Sequence, residues 1–170
     1  MNILQKSHLW ILDNNDNYNL AIDMTCGNGH DTQFLAEHFN RVITIDIQDV
    51  ALKNTQQRLI NYPNIEYIHQ DHSLVDFSEY KPINGAIYNL GYLPHSDKSV
   101  ITTKDSTLNS LNNLFPYLSD FLVIVCYIGH EGGKQEADAV YEWINNHNLL
   151  PEVFRYEGKE KSPIAYCIKL

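Results

Sequence analysis

At 170 residues, 44% hydrophobic and 19% charged, the chain has the size and composition of one ordinary folded domain, and it needs neither disulfide nor metal to close a core. A net charge of −9 argues against a general polyanion-binding surface, although a local basic face remains open. The longest apolar run, Phe121–Ile128, is far shorter than the roughly 20 residues of a membrane-spanning helix. The first residues carry no signal-peptide pattern, and Cys26, Cys126 and Cys167 are scattered without a CxxC pair, so a cytoplasmic protein with reduced thiols is expected.

The pattern predicts one domain over 1–170, opening with a helix at Ile3–Leu12 inside residues 1–15. Leu20–Met24 is a short apolar run, as buried strands tend to be. His30–Phe39 follows as a helix with Leu35 and Phe39 four apart. Val42–Asp46 is the second strand. The helix after it places Leu52, Thr55 and Leu59 on one face, and Ile65–His69 and Gly85–Asn89 are the third and fourth strands. Leu108, Leu111 and Leu114 mark a helix with Asp105 or Ser106 as N-cap and an end blurred by Pro116. Phe121–Tyr127 is the fifth strand. Ala137, Val140, Tyr141 and Ile144 then recur at helical spacing. Val153–Glu157 and Ile164–Lys169 form a terminal strand hairpin inside residues 150–170.

Strand–helix alternation argues for an α/β fold, a mostly parallel sheet with helices on both faces. Ligands of such sheets bind at the carboxyl ends of the strands, where strand order reverses. After the first strand comes "DMTCGNGHDT", Asp23 to Thr32, whose paired glycines let the backbone turn and approach a ligand closely. A dinucleotide loop would have its third glycine where Thr32 stands. Asp23 would repel a pyrophosphate and suits a cationic group, which tilts the ligand toward a nucleoside bearing an amino acid. Asp46, at the tip of strand two, can accept from both hydroxyls of a ribose, a feature shared with nicotinamide-binding folds. Asp71, after strand three, can accept from an adenine amine, with His72 beside it. Each aspartate singly is also a common turn former or helix cap.

After strand four, Asn89 can hold an amine by its carbonyl and Tyr92 can stack on a base. After strand five, Tyr127, His130 and Glu131 precede a Gly-Gly helix entry. His130 with Glu131 is weak as a metal pair because no third ligand is suitably spaced, so no metal is expected. Arg155, Lys159, Lys161 and Lys169 make a local basic tail, and Lys98 with Lys104 a second small basic group.

"DMTCGNGHDT", "IDIQ", "NLGYLP" followed by "SDKSVITT", and "GHEGGKQE", in this order, resemble the small class I S-adenosylmethionine-dependent methyltransferases labelled rRNA methylases. That family includes the bacterial enzyme acting on 5-aminomethyl-2-thiouridine at the tRNA wobble position. The resemblance covers nearly the whole chain and departs from the acidic-x-Gly-x-Gly-x-Gly loop at Thr25. It implies a Rossmann-like, seven-stranded sheet and S-adenosylmethionine as cofactor. Asp23 and the Gly27–Asn28–Gly29 loop would then hold the methionine moiety, with Asp31 and Thr32 in the first helical turn also among the cofactor-binding residues. Asp46 and Gln48 would lie at ribose and adenosine, and Asp71 and His72 at adenine. "NLGY" is similar to the Asn-Pro-Pro-Tyr motif of amine methyltransferases, with Asn89 orienting the attacking nitrogen and Tyr92 packing on the base. Asp97, His95, His130 or water would take the proton. Tyr92, Tyr127, Arg155, Lys159 and Lys161 would contact a tRNA anticodon arm, with His130 a further substrate-binding residue at the far wall of the acceptor pocket, and a homodimer is one way to complete the RNA surface. Methyl transfer to rRNA or to a small amine, a nicotinamide-dependent oxidoreductase and a non-catalytic nucleoside-binding module are the competing readings.

Overall fold

The computed structural model describes residues 1–91, 103–129, 131–156, 158 and 162–170. In chain order the elements are α1 (Ile3–Asn14), β1 (Leu20–Asp23), α2 (His30–His38), β2 (Arg41–Asp46), α3 (Asp49–Arg58), β3 (Ile65–His69), β4 (Ile83–Leu90), α4 (Lys104–Leu114), β5 (Leu118–Cys126), α5 (Gly133–Asn146), β6 (Glu152–Phe154) and β7 (Ile164–Lys169). The strands form one sheet in the order β3-β2-β1-β4-β5-β7-β6. β1 to β5 are parallel, and β7 runs antiparallel to both β5 and β6. Each of the seven expected strands forms, although the β6 ladder is only three residues long. The first crossovers proceed outward through β2 to β3, and the chain then returns to place β4 on the other side of β1. Strand order therefore reverses at the carboxyl end of β1.

Both faces of the sheet are covered, so its strands read as continuous apolar runs. Side chains of one parity, among them Ile22, Ile43, Tyr88, Ile124 and Ile168, share a core with Leu111 and Leu114 of α4 and with Val140 and Trp143 of α5. Those of the other parity, among them Ala21, Val42, Ile87, Val123 and Cys167, pack with Trp10 and Ile11 of α1 and with Phe34 and Leu35 of α2. Leu52, Thr55 and Leu59 are buried as expected, and α3 lies over β2 and β3. At the amino edge, Asn84 Oδ1 accepts from the N–H groups of Asn19 and Leu20. Its Nδ2 donates to Asp120, which locks β1, β4 and β5 in register.

Two local details differ from the sequence expectation. The N-cap of α4 is Thr103, whose hydroxyl accepts from Ser106 N–H while Ser106 Oγ accepts from Thr103 N–H. Ser106 is thus the third helical residue of a capping box, and Asp105 lies in the first turn beside the positive helix end. On α5, Tyr141 is 54% exposed and Trp143 is the buried aromatic. Tyr141 stands at the margin of the apolar stripe, and the indole fills the space against Phe115.

Candidate functional site

Beyond Asp23 the chain keeps bonding to both neighbouring strands. Met24 N–H donates to Ile87 O of β4 at 2.9 Å and Cys26 N–H to Ile45 O of β2 at 2.8 Å. The loop therefore opens directly over the reversal point, between β2 and β4. Gly27 (φ +53°) and Gly29 (φ +78°) are left-handed, a conformation that costs other residues roughly 1–2 kcal/mol. Gly29 also sits against α3, where a Cβ would stand 2.5 Å from Thr55 Cγ2. Arg58 Nη2 donates to the carbonyl of exposed Asn28 at 2.7 Å and clamps the loop from the same helix.

Asp46 ends β2 with its carboxylate fixed from both sides. Oδ2 accepts from Gly27 N–H (2.9 Å) and Oδ1 from Gln48 N–H (2.8 Å). Those two bonds hold the oxygens at the strand tip and tie the first two loops together. Asp71 caps a one-turn 3-10 helix over His72–Leu74, its Oδ1 accepting from Ser73 N–H and Oγ. Burial raises its pKa, but the two Ser73 bonds outweigh that, and the net shift is downward. His72 is 7% exposed and stands edge-on to Tyr88. Burial holds the imidazole neutral, and Nδ1 has no hydrogen-bond partner among the described residues.

Asp23 is wholly buried beneath the loop. Its Oδ1 accepts from Thr25 N–H at 3.0 Å and its Oδ2 from Thr32 Oγ1 at 2.6 Å. Thr32, also buried, bonds Thr44 Oγ1. Burial, and then the neighbouring Asp31, push the Asp23 carboxyl up to about 8. At neutral pH it is mostly protonated, and it props the loop from below.

Asn89 ends β4 and is held at two points. Its N–H donates to Thr25 Oγ1 at 2.7 Å, and its Nδ2 to Asp31 Oδ2 at 3.3 Å. A carboxylate only accepts, so the NH₂ end of the amide must face Asp31 and the carbonyl end is turned away from it. Asp31, 4% exposed in the first turn of α2, pairs through Oδ1 with His8 Nε2 at 2.6 Å. The His8 ring lies flat on Phe34, centroids 4.0 Å apart and planes within 3°. Tyr127, just past β5, packs where Gly91 leaves room; a Cβ on Gly91 would come 3.3 Å from its ring. Burial, then the charge of Asp31, raise the Tyr127 pKa, with Asn89 opposing. Tyr127 therefore keeps its hydroxyl proton. Arg155 is exposed beyond β6 at the same edge of the sheet.

The structure thus gathers Gly27, Asn28, Gly29, Asp46 and Gln48 on the β2 side of the reversal point. Asn89, Asp31 and Tyr127 gather on the β4 side. Asp31, expected among the cofactor-binding residues, bonds Asn89. Tyr92, Asp97, His130 and Lys159, with His95, Lys98 and Lys161, lie outside the described residues. Two members of the site escaped sequence reasoning. His8 lies on a helix far from every motif, and no local signal marks it. Thr25 reads as a mere departure from a glycine pattern, yet its hydroxyl joins the glycine loop to the end of β4. Among the described residues no group of three His, Cys, Asp or Glu is placed to hold a metal ion. No helix among them is long and apolar enough to cross a membrane.

A family model described as "Putative rRNA methylase" matches residues 42–166. A curated relative, the chloroplastic tRNA (mnm(5)s(2)U34)-methyltransferase of Arabidopsis thaliana, is 32% identical over 140 residues, covering 71% of this chain and 50% of that one. The chain therefore spans about half the length of that relative. A Streptococcus mutans protein described as a "putative methyltransferase", solved in complex with SAH, is 30% identical with a TM-score of 0.87, covering 99% of this chain and 98% of its own. A Clostridium thermocellum "putative rRNA-methylase" is likewise 30% identical, with a TM-score of 0.89 over 100% of this chain and 98% of that one. The fold is thereby matched over nearly the whole chain by these solved proteins, and with the family match running from β2 into β7, the chain belongs to this rRNA methylase family of S-adenosylmethionine-dependent methyltransferase fold.

Proposed function

We propose that the chain transfers a methyl group from S-adenosylmethionine to a primary amine, the aminomethyl group of 5-aminomethyl-2-thiouridine at the tRNA wobble position. The residues present fit this cofactor. Asp46 is an oriented carboxylate suited to ribose hydroxyls. His72 offers a buried ring nitrogen that no described residue satisfies, beside Asp71. The cofactor supplies, when bound, a sulfonium methyl carbon open to in-line attack by a neutral nitrogen.

The observation that carries the acceptor assignment is the double tether of Asn89. Thr25 fixes its backbone to the glycine loop, and Asp31 dictates which end of the amide faces away from that carboxylate. The carbonyl that would accept from an amine is thus registered to the donor loop by two short links. Such fixing of reacting partners is where most of the acceleration in a group transfer arises. The tRNA substrate is supported by the Arabidopsis relative, which covers most of this chain. Tyr127 and exposed Arg155 would line the approach of an anticodon arm, a single-stranded target whose bases can be splayed and stacked. Transfer to rRNA is the second reading, favoured by the family description.

One experiment separates them. Purified wild-type protein with S-adenosylmethionine is given tRNA or rRNA from a strain lacking the gene, and the nucleosides are read by mass spectrometry. The expected result is methylation of the aminomethyl nucleoside in tRNA. Asn89→Ala should retain cofactor binding by calorimetry and lose about 100-fold in transfer rate. Methylation confined to rRNA would replace the tRNA reading, and an undiminished rate in Asn89→Ala would remove Asn89 from its role.

A further inference from the structure

A terminal amide can turn either end toward a substrate, because its last torsion is broad and roughly two-fold and its two ends have nearly the same shape. For an amine acceptor only the carbonyl end serves. An amine that accepts from the NH₂ end has engaged the lone pair it needs for attack. The orientation of Asn89 therefore has to be set from outside the residue. Asp31 Oδ2, 3.3 Å from Asn89 Nδ2, holds the NH₂ end. Asn89 also acts as a donor toward Tyr127, opposing the rise that burial and the charge of Asp31 give that phenol. Both contacts engage the NH₂ end, and the carbonyl is the end left to meet an amine.

Asp31 fixes that choice only while Oδ2 is an acceptor. A carboxylate accepts on both oxygens, whereas a protonated carboxyl can also donate and would then hold either end of the amide. Asp31 is buried, with 5% of its side chain exposed. A buried carboxylate stays charged only where donors compensate it. The second donor here is His8, whose Nε2 stands 2.6 Å from Oδ1, the oxygen that does not face Asn89. Asp31 takes the edge of the His8 ring. Phe34, three residues on along α2, lies flat on its face with centroids 4.0 Å apart. The helix that carries His8 is pinned at its start by the Asn2 capping box and by the bond from Ile3 N–H to Tyr156 Oη, and beyond His8 by buried Trp10 and Ile11. The neighbouring acids leave the charge to Asp31. Behind burial, Asp31 is the next cause that pushes Asp23 up to about 8 and that raises Tyr127, so both stay largely protonated at neutral pH.

We propose that His8 is a positioning residue for methyl transfer: its ring N–H holds Asp31 as an acceptor on both oxygens, and Asp31 in turn holds the Asn89 amide with its carbonyl toward the substrate amine. This rests on the amine-methyltransferase reading above. The role of His8 is geometric. It moves no proton and acts only through Asn89. Removing its N–H lets Asp31 donate, lets the Asn89 amide turn, and lowers the fraction of bound amine that is aligned with the methyl donor. The Asp46 carboxylate, fixed by Gly27 and Gln48 instead, is untouched.

The test is a double-mutant cycle in the full chain, with S-adenosylmethionine and tRNA carrying the aminomethylated wobble base. Circular dichroism sets a temperature at which every variant is folded. His8→Phe keeps an aromatic ring to lie on Phe34 and removes the N–H. It should lower kcat about tenfold at an unchanged KM for tRNA, with cofactor affinity by calorimetry also unchanged. His8→Gln, whose amide N–H can reach the same oxygen, should recover most of the rate. In an Asn89→Ala background, which has no amide to orient, His8→Phe should slow transfer no further. Equal factors in both backgrounds would show that His8 supports the fold at large and overturn the proposal. A His8→Phe variant with wild-type kcat, or a His8→Gln variant as slow as His8→Phe, would overturn it as well. Weakened cofactor binding in His8→Phe would assign the pair to the cofactor and overturn it too. A wild-type protein that methylates no amine, or an Asn89→Ala variant as fast as wild type, would instead refute the amine reading itself, and this assignment with it.

Discussion

Replacing Gly29 by alanine separates two costs that glycine loops usually confound. Gly29 and Gly132 share almost the same left-handed backbone, φ +78° and +80°. They differ in surroundings. A Cβ on Gly29 would stand 2.5 Å from Thr55 Cγ2, 2.8 Å from Thr55 Oγ1 and 3.0 Å from Arg58 Nη2, whereas a Cβ on Gly132 would meet nothing within 4 Å. Gly132→Ala should therefore pay only for the backbone, roughly 1–2 kcal/mol, partly offset by the stiffer unfolded chain. Gly29→Ala carries the same term plus displacement of Thr55, a side chain only 1% exposed. Overpacking of that kind costs roughly 1–3 kcal/mol. The difference between the two variants is then about 1–3 kcal/mol, or roughly 2–10 °C in melting temperature for a chain of this length. Urea denaturation of both variants measures it. Calorimetry with S-adenosylmethionine should show affinity reduced about tenfold for Gly29→Ala, and unchanged for Gly132→Ala. Equal stabilities would mean that α3 does not hold the loop and would refute this account of it.

Two further outcomes follow from the loop. Asp23 holds its proton in the fold up to about 8, against an ordinary value near 3.8, so the unfolded chain binds fewer protons between those values and stability falls as pH rises through that window. The slope from this group approaches roughly 1.4 kcal/mol per pH unit, and Asp23→Asn, neutral and of the same shape, should flatten it in urea melts taken from pH 5 to 8. An unaltered slope would mean that Asp23 is ionised in the fold. Thr25→Val keeps the volume but leaves Asn89 N–H without its acceptor, which should cost about 1–3 kcal/mol in stability and slow methyl transfer more than it weakens cofactor binding. Thr25→Ser should recover both, and a Val variant with wild-type turnover would separate the loop from the acceptor motif.

Much of this protein is written in local pattern. The seven strand runs, the helices between them and the glycine turn are legible because burial on two faces, helical periodicity and left-handed glycines each act within a few residues of one another. The ends of α4 were less legible, since Asp105 and Ser106 look as much like caps as Thr103 does until the backbone shows which residue is extended. The family motifs carried the cofactor by resemblance, and the fold brought Gly27, Asp46 and Asn89, from three of them, to one edge of the sheet. What only the tertiary structure decided is where the side chains at strand ends point. Asp23, Asp46 and Asp71 each stand at or just past the end of a strand, and each by itself is also an ordinary turn former or helix cap. Packing buries the first as a neutral prop, sets the second between two N–H groups and leaves the third capping a turn. The pairing of His8 with Asp31 and Asn89 joins three elements distant in sequence. Its existence depends on α1 and α2 sharing one face of the sheet beside the end of β4, and no periodicity within any one segment encodes that meeting.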